Sequence, residues 1–242
     1  MTAATIAKGH YVRLAHGFGR AGEGLGLLPW LDRRRDRSRL AHWLRSLPAI
    51  HDLDAMARLD VPWWTYGAVD EVESFLSKRP GARVFEYGSG ASTLWLRRRA
   101  GFVRSVEHHA GWHERLEGRL ASEPGAPVEL LLVEPDEGGA APLYVSDKGG
   151  EIGQAFETYA RAIERTDDFY DLIVIDGRAR AACLHHTVSR LAPGGMIVFD
   201  NAARARYRKA IEGCGLRVQR HRGLAPALPY FDETVLLRAV AS

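Results

Sequence analysis

The sequence contains little cysteine and no long apolar stretch. Its two cysteines, Cys183 and Cys214, do not form a C-x-x-C pair, which argues against a disulfide framework and against a zinc site built from cysteines. The longest apolar runs are far shorter than the ~20 residues that a membrane-spanning helix needs, and the chain does not open with a signal-peptide pattern. We therefore expect a cytoplasmic protein without a membrane span.

The sequence also lacks a strong charge of one sign. Its formal net charge is only +3, and a hydrophobic fraction of 46% is sufficient for the full core of one domain. Basic residues cluster at 33–39 and 97–99, but neither cluster is part of an RNA-binding motif with alternating aromatic residues. We interpret both clusters as solvated faces and do not expect nucleic acid as a partner.

Two parts of the chain differ in pattern. Residues 1–62 are glycine-rich, then basic, and then helical in pattern around Leu40, Trp43 and Leu47, so we interpret them as a helical N-terminal extension. Residues 63–242 form the main predicted domain, in which helical and strand patterns alternate. The predicted strands cover 83–86, 102–107, 128–133, 171–176, 196–200, 216–220 and 233–238. The predicted helices cover 69–78, 92–99, 112–121, 153–165, a segment ending at about 191, and 203–213.

This alternation is typical of an α/β protein with a Rossmann-like, doubly wound parallel sheet, which binds ligands at the carboxyl ends of its strands. Acidic residues occur at four of the predicted strand ends, namely Glu86, Glu107, Asp176 and Asp200. Glu107 follows Glu86 by about 20 residues, the distance at which an acid after the second strand can bind the hydroxyls of a ribose. The sequence therefore predicts one site at this edge of the sheet.

The turn after the first predicted strand narrows the choice of ligand. Gly88 and Gly90 permit a tight turn, but Thr93 stands where the dinucleotide fingerprint would have its third glycine. The carboxylate of Glu86 beside this turn would repel a pyrophosphate and attract an ammonium group. A ligand that combines a ribose with an amino-acid end is S-adenosylmethionine.

The stretches VFEYGSGASTLWL, VRSVEHHAGW and YDLIVIDGRAR, with LAPGGMIVFDNA, resemble class I S-adenosylmethionine-dependent methyltransferases over residues 66–238. The resemblance implies a seven-stranded sheet whose last strand is antiparallel. It also implies that Glu107 binds the ribose and that His108 flanks the adenine. The residues implied to lie along the methionine part are Glu86, Gly88, Ser89, Gly90 and Ser92.

A second resemblance concerns the later strand ends. Asp176 and the pair Asp200–Asn201 are similar to the magnesium ligands of catechol-type O-methyltransferases, and such oxygen ligands suit Mg²⁺. The chain lacks the lysine that this family places soon after the first aspartate. Three alternatives are therefore open: Mg²⁺ alone activates the acceptor, another residue is the base, or Asp176 is a general base without a metal. The Asp200–Asn201 pair also fits a simple helix cap.

The sequence says least about the acceptor of the methyl group. We expect the tryptophan-rich stretch 61–67 and the insert 134–154 to shape its site, with a core position for Trp63 and Trp64 as the alternative. We expect a small hydroxylated acceptor, either a sugar or an aromatic compound. One alternative is an RNA or protein N-methyltransferase, but DGRA stands where such enzymes carry a proline-rich tetrapeptide such as N-P-P-Y. The other is a cofactor-binding module without catalysis. A homo-oligomer is also left open.

Overall fold

The computed structural model describes residues 26–50, 52–139, 141–146 and 151–239, together with Gly17 and Gly24. Most of the glycine-rich part of the predicted extension and residues 140 and 147–150 of the predicted insert lie outside the described residues. No helix in the described ranges combines the length and the apolar character needed to cross a bilayer.

Helices and strands alternate through most of the described chain. The α-helices are α1 Leu27–Asp32, α2 Arg39–Ser46, α3 Leu53–Leu59, α4 Tyr66–Ser77, α5 Ala91–Arg97, α6 Ala110–Ala121, α7 Glu157–Ala160, α8 Arg180–Thr187 and α9 Arg208–Gly213. The strands are β1 Arg83–Tyr87, β2 Phe102–Glu107, β3 Val128–Leu132, β4 Tyr170–Ile175, β5 Leu191–Phe199, β6 Arg217–Leu224 and β7 Phe231–Arg238.

The strands form one seven-stranded sheet in the order β3-β2-β1-β4-β5-β7-β6. Strand β7 is antiparallel to both of its neighbours, β5 and β6, and the other strand pairs are parallel. The predicted doubly wound sheet with an antiparallel last strand is therefore confirmed. The strand order reverses between β1 and β4, and in such sheets ligands bind at this reversal, beside the carboxyl ends of the strands.

The core lies on both faces of the sheet. Neighbouring residues of β1 point to opposite faces, so Val84 packs in one buried cluster and Phe85 in the other. Strand β4 is buried on both sides, which explains why its sequence is a continuous apolar run rather than an alternating one. This central pair of strands is the rigid support for the loops at its carboxyl end.

The tryptophans of the stretch 61–67 take part in packing. Trp64 is fully buried and meets Trp95 edge to face, with ring centroids 5.8 Å apart. Trp63 is partly buried against a cluster that includes Ile50 and Tyr66. Trp64 is therefore a core residue and has no exposed face to offer an acceptor.

The described helices before residue 62 are hydrogen-bonded to a late part of the chain. The indole Nε1 of Trp43 donates a hydrogen bond to the Leu228 carbonyl oxygen (2.9 Å), and the N–H of Ala227 donates to Ser46 Oγ (2.9 Å). Both contacts join α2 to the connection between β6 and β7. A domain boundary at residue 62 remains a prediction.

The predicted helix 153–165 is wrong in length. In the structure Gly153 has φ +84°, which a helix does not accommodate, and α7 begins only at Glu157. The carboxylate of Asp136 caps this start because it accepts hydrogen bonds from the N–H groups of Glu157 (2.5 Å) and Thr158 (3.2 Å). A 3₁₀ turn then completes the segment.

Candidate functional site

Four acidic residues meet at the carboxyl edge of the sheet, on neighbouring strands. Glu86 lies near the end of β1 and Glu107 ends β2, whereas Asp176 and Asp200 directly follow β4 and β5. Backbone hydrogen bonds continue the sheet past its last residues, from Asp176 N–H to the Tyr87 carbonyl oxygen (2.9 Å) and from Asp200 N–H to that of Ile175 (3.2 Å). The structure therefore brings the four predicted acids to one edge.

Glu86 is fully buried, and its two carboxylate oxygens differ in their contacts. Oε2 accepts hydrogen bonds from the hydroxyls of Thr93 (2.5 Å) and Ser105 (2.6 Å). Oε1 is also buried, but no described residue forms a hydrogen bond with it. A buried polar atom without a partner is costly, so this oxygen marks a place where a ligand can donate a hydrogen bond.

The surroundings of Glu86 shift its acidity. Burial raises the pKa of Glu86 to about 7, although the hydroxyls of Ser105, Ser92 and Thr93 lower it in part. Besides burial and the three hydroxyls, the strongest influence on this pKa is the like charge of Asp176. Glu86 is thus an acid that the described protein leaves without a charged partner.

A chain of hydroxyls joins Glu86 to the glycine turn. Ser89 Oγ lies 2.7 Å from Ser105 Oγ, and the N–H of Gly90 donates to Thr93 Oγ1 (2.8 Å). Thr93 and Ser105 were not among the predicted site residues. Ser105 lies in register with Glu86, and the only trace of it in the sequence is a hydroxyl two residues before Glu107 on the same predicted strand.

The two turn glycines have different environments. Gly88 has φ +91°, and a Cβ there would lie 2.7 Å from the Cα of Gly177 in the turn after β4. A Cβ at Gly90 would meet only the Trp112 ring, at 3.9 Å, which is an ordinary contact. Gly88 is therefore required by the packing of two protein turns, whether or not a ligand lies beside it.

Glu107 is almost fully buried and begins a row of paired side chains. Its Oε1 accepts a hydrogen bond from the N–H of His109 (2.8 Å) and lies 2.8 Å from Nδ1 of His108. Burial alone would raise the pKa of Glu107, but the His108 side chain and the backbone N–H groups outweigh it, so the pKa is lowered. Glu107 is therefore ionised at neutral pH, as a ribose-binding acid requires.

The row continues into the insert. His108 Nε2 lies 3.2 Å from Glu151 Oε1, and the guanidinium of Arg178 donates to both oxygens of Glu151. Burial alone would raise the pKa of Glu151, but Arg178 and His108 lower it overall. Sequence reasoning did not find Glu151, because only the return of the insert toward β2 places it beside His108.

Asp176 and Asp200 are joined by an arginine. The buried guanidinium of Arg180 lies between them, with Nη2 2.8 Å from Asp176 Oδ1 and Nη1 3.8 Å from Asp200 Oδ2. It also donates to the backbone carbonyl oxygens of both aspartates. Burial alone would lower the pKa of Arg180, but Asp176 and Asp200 outweigh it and raise the pKa.

Asp200 and Asn201 are neighbours in the chain, but their side chains contact different residues. Thr234 Oγ1 donates to Asp200 Oδ1 (2.8 Å), and burial with the nearby Asp176 raises the pKa of Asp200 well above its usual range. Asn201 has φ +50° and donates from Nδ2 to Asp232 Oδ2 (2.8 Å). Its side chain is thus directed to β7.

A cavity of about 300 Å³ lies at the turn that follows Asp176. Three segments line it, at residues 142–146 of the insert, 177–181 after β4, and 204–207 after β5. The tryptophan-rich stretch 61–67 does not contribute to its lining. The insert therefore borders this cavity, whereas the tryptophans do not.

No protein-family profile and no curated protein matches the sequence. Solved structures do match. The O-methyltransferase TomG from Streptomyces achromogenes, solved in complex with S-adenosylmethionine, is 16% identical, with a TM-score of 0.52 over 71% of this chain and 80% of TomG. An rRNA methylase from Streptococcus thermophilus is 12% identical, with a TM-score of 0.50 over 72% of this chain and 96% of its own. This chain has the class I methyltransferase fold.

Other structures with the methyltransferase fold include a candidate O-methyltransferase from Klebsiella pneumoniae, which is 15% identical with a TM-score of 0.51 over 78% of this chain and 88% of its own. At such identities the likeness concerns the fold alone. The acceptors of these proteins therefore do not transfer to this chain, and the site must be judged from its own residues.

The residues predicted to bind Mg²⁺ do not fit a divalent cation in their observed arrangement. Arg180 already supplies the positive charge between Asp176 and Asp200, and Asn201 is engaged with Asp232. Within the described part of the chain, no group of three or more His, Cys, Asp or Glu side chains is placed to hold a metal ion. The predicted Mg²⁺ site is thus not supported, because a guanidinium takes the place of the cation.

The first testable prediction compares the turn glycines. Gly88→Ala is expected to lower the free energy of unfolding by about 1–3 kcal/mol, because a positive φ and a backbone overlap both oppose a Cβ there. Gly90→Ala, the matched control, has room for its Cβ and is expected to cost less. Urea unfolding of both variants measures this difference, and equal losses would contradict the packing role of Gly88.

The second prediction concerns the charge on Glu86. Since its folded pKa of about 7 exceeds its usual value of 4.5, the folded protein binds more protons than the unfolded chain between these pH values, and stability is lost as pH rises through them. We expect this Glu86 contribution to amount to roughly 3 kcal/mol and to vanish in Glu86→Gln. Unfolding measured across this pH range tests it.

Glu107→Gln is the control with the opposite sign. Because the folded pKa of Glu107 is lowered, its ionised form adds stability that is present above its usual pKa and lost as pH falls through the folded value. The Gln variant should therefore lose stability at neutral pH. The same pH slope in wild type and Glu86→Gln would show that Glu86 does not titrate in this range.

The third prediction concerns Arg180. Arg180→Ala leaves two acids facing each other and is expected to lower the free energy of unfolding by about 3–5 kcal/mol. Mn²⁺ should restore part of this stability in Arg180→Ala but should not stabilise wild type or the control Arg178→Ala. Thermal unfolding with and without Mn²⁺ measures the effect, and equal stabilisation of wild type would show that a metal binds alongside the guanidinium.

Proposed function

We propose that the protein is an S-adenosylmethionine-dependent methyltransferase that methylates a hydroxyl of a small acceptor. One observation carries this proposal, namely the buried Oε1 of Glu86, which has no partner among the described residues and lies beside the glycine turn. A second, ionised acid, Glu107, ends the neighbouring strand β2. Together the two acids match a ligand with an ammonium group at one end and a ribose further along.

In this proposal, Glu86 accepts a hydrogen bond from the ammonium group of the cofactor. The ammonium would supply the charge that the pocket lacks, which would favour the ionised form of Glu86. Gly88, Ser89, Gly90 and Ser92 line the methionine part, as the family resemblance implies. Gly90 can be approached closely because it has no side chain.

Glu107 binds the ribose hydroxyls, and His108 flanks the adenine. The His108 ring is held in place by aromatic neighbours, with its centroid 5.7 Å from that of Phe156 and 6.1 Å from that of Tyr159. Glu151 fixes the outer nitrogen of the same ring. The insert thus helps to orient the residue that would contact the base.

S-adenosylmethionine supplies an electrophilic methyl group when it is bound. The chain's own contribution to the reaction is to position the acceptor and to take the proton from its hydroxyl. Of the two aspartates that Arg180 joins, Asp176 is the more accessible, with 18% of its side chain exposed against 4% for Asp200. We therefore assign the role of general base to Asp176 and a structural role to Asp200.

The size of the cavity supports a small acceptor. A volume of about 300 Å³ is at the lower end of the range for small-molecule sites. The insert contributes one wall of this cavity, whereas an RNA or protein acceptor would require a broad open surface there. The alternative of an N-methyltransferase for macromolecules is therefore not favoured.

The fourth prediction tests the cofactor assignment. Glu107→Ala is expected to weaken S-adenosylmethionine binding by about 1.5–3 kcal/mol, which corresponds to roughly 10–150-fold in Kd, because a hydrogen bond to a charged group is lost. Isothermal titration calorimetry measures this. The control Glu117→Ala removes an exposed acid of α6 and should bind as wild type does. Unchanged affinity in a folded Glu107→Ala protein would refute the assignment.

A further inference from the structure

The cavity at the turn that follows Asp176 is lined by four arginines, namely Arg178, Arg180, Arg204 and Arg206. The rest of its described lining is apolar, small or neutral, and contains no acidic side chain. Arg178 and Arg180 come from the turn after β4, whereas Arg204 and Arg206 come from the turn after β5. Two turns at the same edge of the sheet therefore direct basic residues to one small space.

These arginines differ in how their charge is compensated. Arg178 is paired with Glu151, and Arg180 is paired with Asp176 and Asp200. Arg206 stacks over the Tyr207 ring at 4.8 Å and donates to its hydroxyl (3.2 Å). Arg204 is exposed and forms no ion pair with any described residue. A positive charge thus remains at the cavity, on Arg204.

The position of Arg204 is set by the backbone of its turn. Ala202 N–H donates to the Glu233 carbonyl oxygen (2.8 Å) and anchors the chain beside β7, and the Tyr207 N–H donates to the Arg204 carbonyl oxygen (3.0 Å). Arg204 is thereby held at the start of a 3₁₀ turn whose Tyr207 is buried and lines the cavity. Arg204 is thus one of the four arginines of the lining, and its backbone position is fixed by this turn.

We propose that this cavity binds the acceptor through an anionic group, a carboxylate or a phosphate, that pairs with Arg204. A guanidinium matches both groups because it can donate two parallel hydrogen bonds to a pair of oxygens. Arg180 borders the same cavity and binds the carboxylate of Asp176, so the cavity and the proposed base share one arginine. The assignment of this ligand as the acceptor rests on the proposed function, whereas the anion site itself does not.

Anion binding is measured first, without cofactor. Wild type, Arg204→Ala, Arg204→Lys and the control Arg208→Ala, an exposed arginine of α9 outside the cavity lining, are titrated with benzoate and with inorganic phosphate at constant ionic strength set by chloride. We expect Arg204→Ala to bind the preferred anion at least about tenfold more weakly, Arg204→Lys to retain part of the affinity, and Arg208→Ala to match wild type. The two probes distinguish a carboxylate site from a phosphate site.

Transfer from labelled S-adenosylmethionine is then compared within pairs of acceptors, 4-hydroxybenzoate with 4-hydroxybenzyl alcohol, and glycerol 3-phosphate with glycerol. We expect wild type to prefer the anionic member of one pair and Arg204→Ala to lose that preference through a higher KM, with its S-adenosylmethionine affinity unchanged. Anion binding that is absent in wild type, or equal in wild type and Arg204→Ala, overturns the proposal. Failure to bind S-adenosylmethionine would instead refute the proposed function and leave the anion site standing.

Discussion

The carboxyl edge of the sheet depends on the buried ion pair in which Arg180 joins Asp176 and Asp200. Two ionised acids at adjacent strand ends would repel each other in a dry environment. The guanidinium pairs most closely with Asp176, at 2.8 Å, and the raised pKa of Asp200 favours the neutral form of that acid. The same side chain also binds the backbone of both strand ends. The turns after β4 and β5, and with them two walls of the cavity, are therefore held by one residue.

Two polar groups near this edge lack a matching partner among the described residues. Oε1 of Glu86 lacks a hydrogen-bond partner, and Arg204 lacks an acid. One is an acceptor beside the glycine turn and the other is a cation beside the cavity, so they call for ligands of opposite charge. A cofactor with an ammonium group and an acceptor with an anionic group would satisfy both.

Sequence patterns predicted the scaffold of this site well. Apolar runs indicated the strands, and the acids Glu86 and Glu107 were correctly placed at strand ends, because local periodicity records which backbone positions are buried. The patterns failed where a distant side chain changes a local outcome. Asp136 caps α7 at Glu157, so the observed helix begins later than the predicted helix 153–165. The Trp64 ring is buried in the core. The cytoplasmic location and the oligomeric state remain predictions.

The sequence by itself determined the doubly wound sheet, the glycine turn and the set of acids at the strand ends, since each depends on residues that are neighbours in the chain. Only the tertiary structure decided which charge meets which partner. Arg180 reaches Asp200 across two strand ends, Glu151 returns from the insert to His108, and Asn201 turns to Asp232. These pairings depend on side-chain directions and on the approach of distant loops, which no local pattern encodes. For that reason Asp176, Asp200 and Asn201, which resembled a magnesium site in the sequence, do not form one in the structure. Arg180 lies between the two aspartates, and Asn201 contacts Asp232.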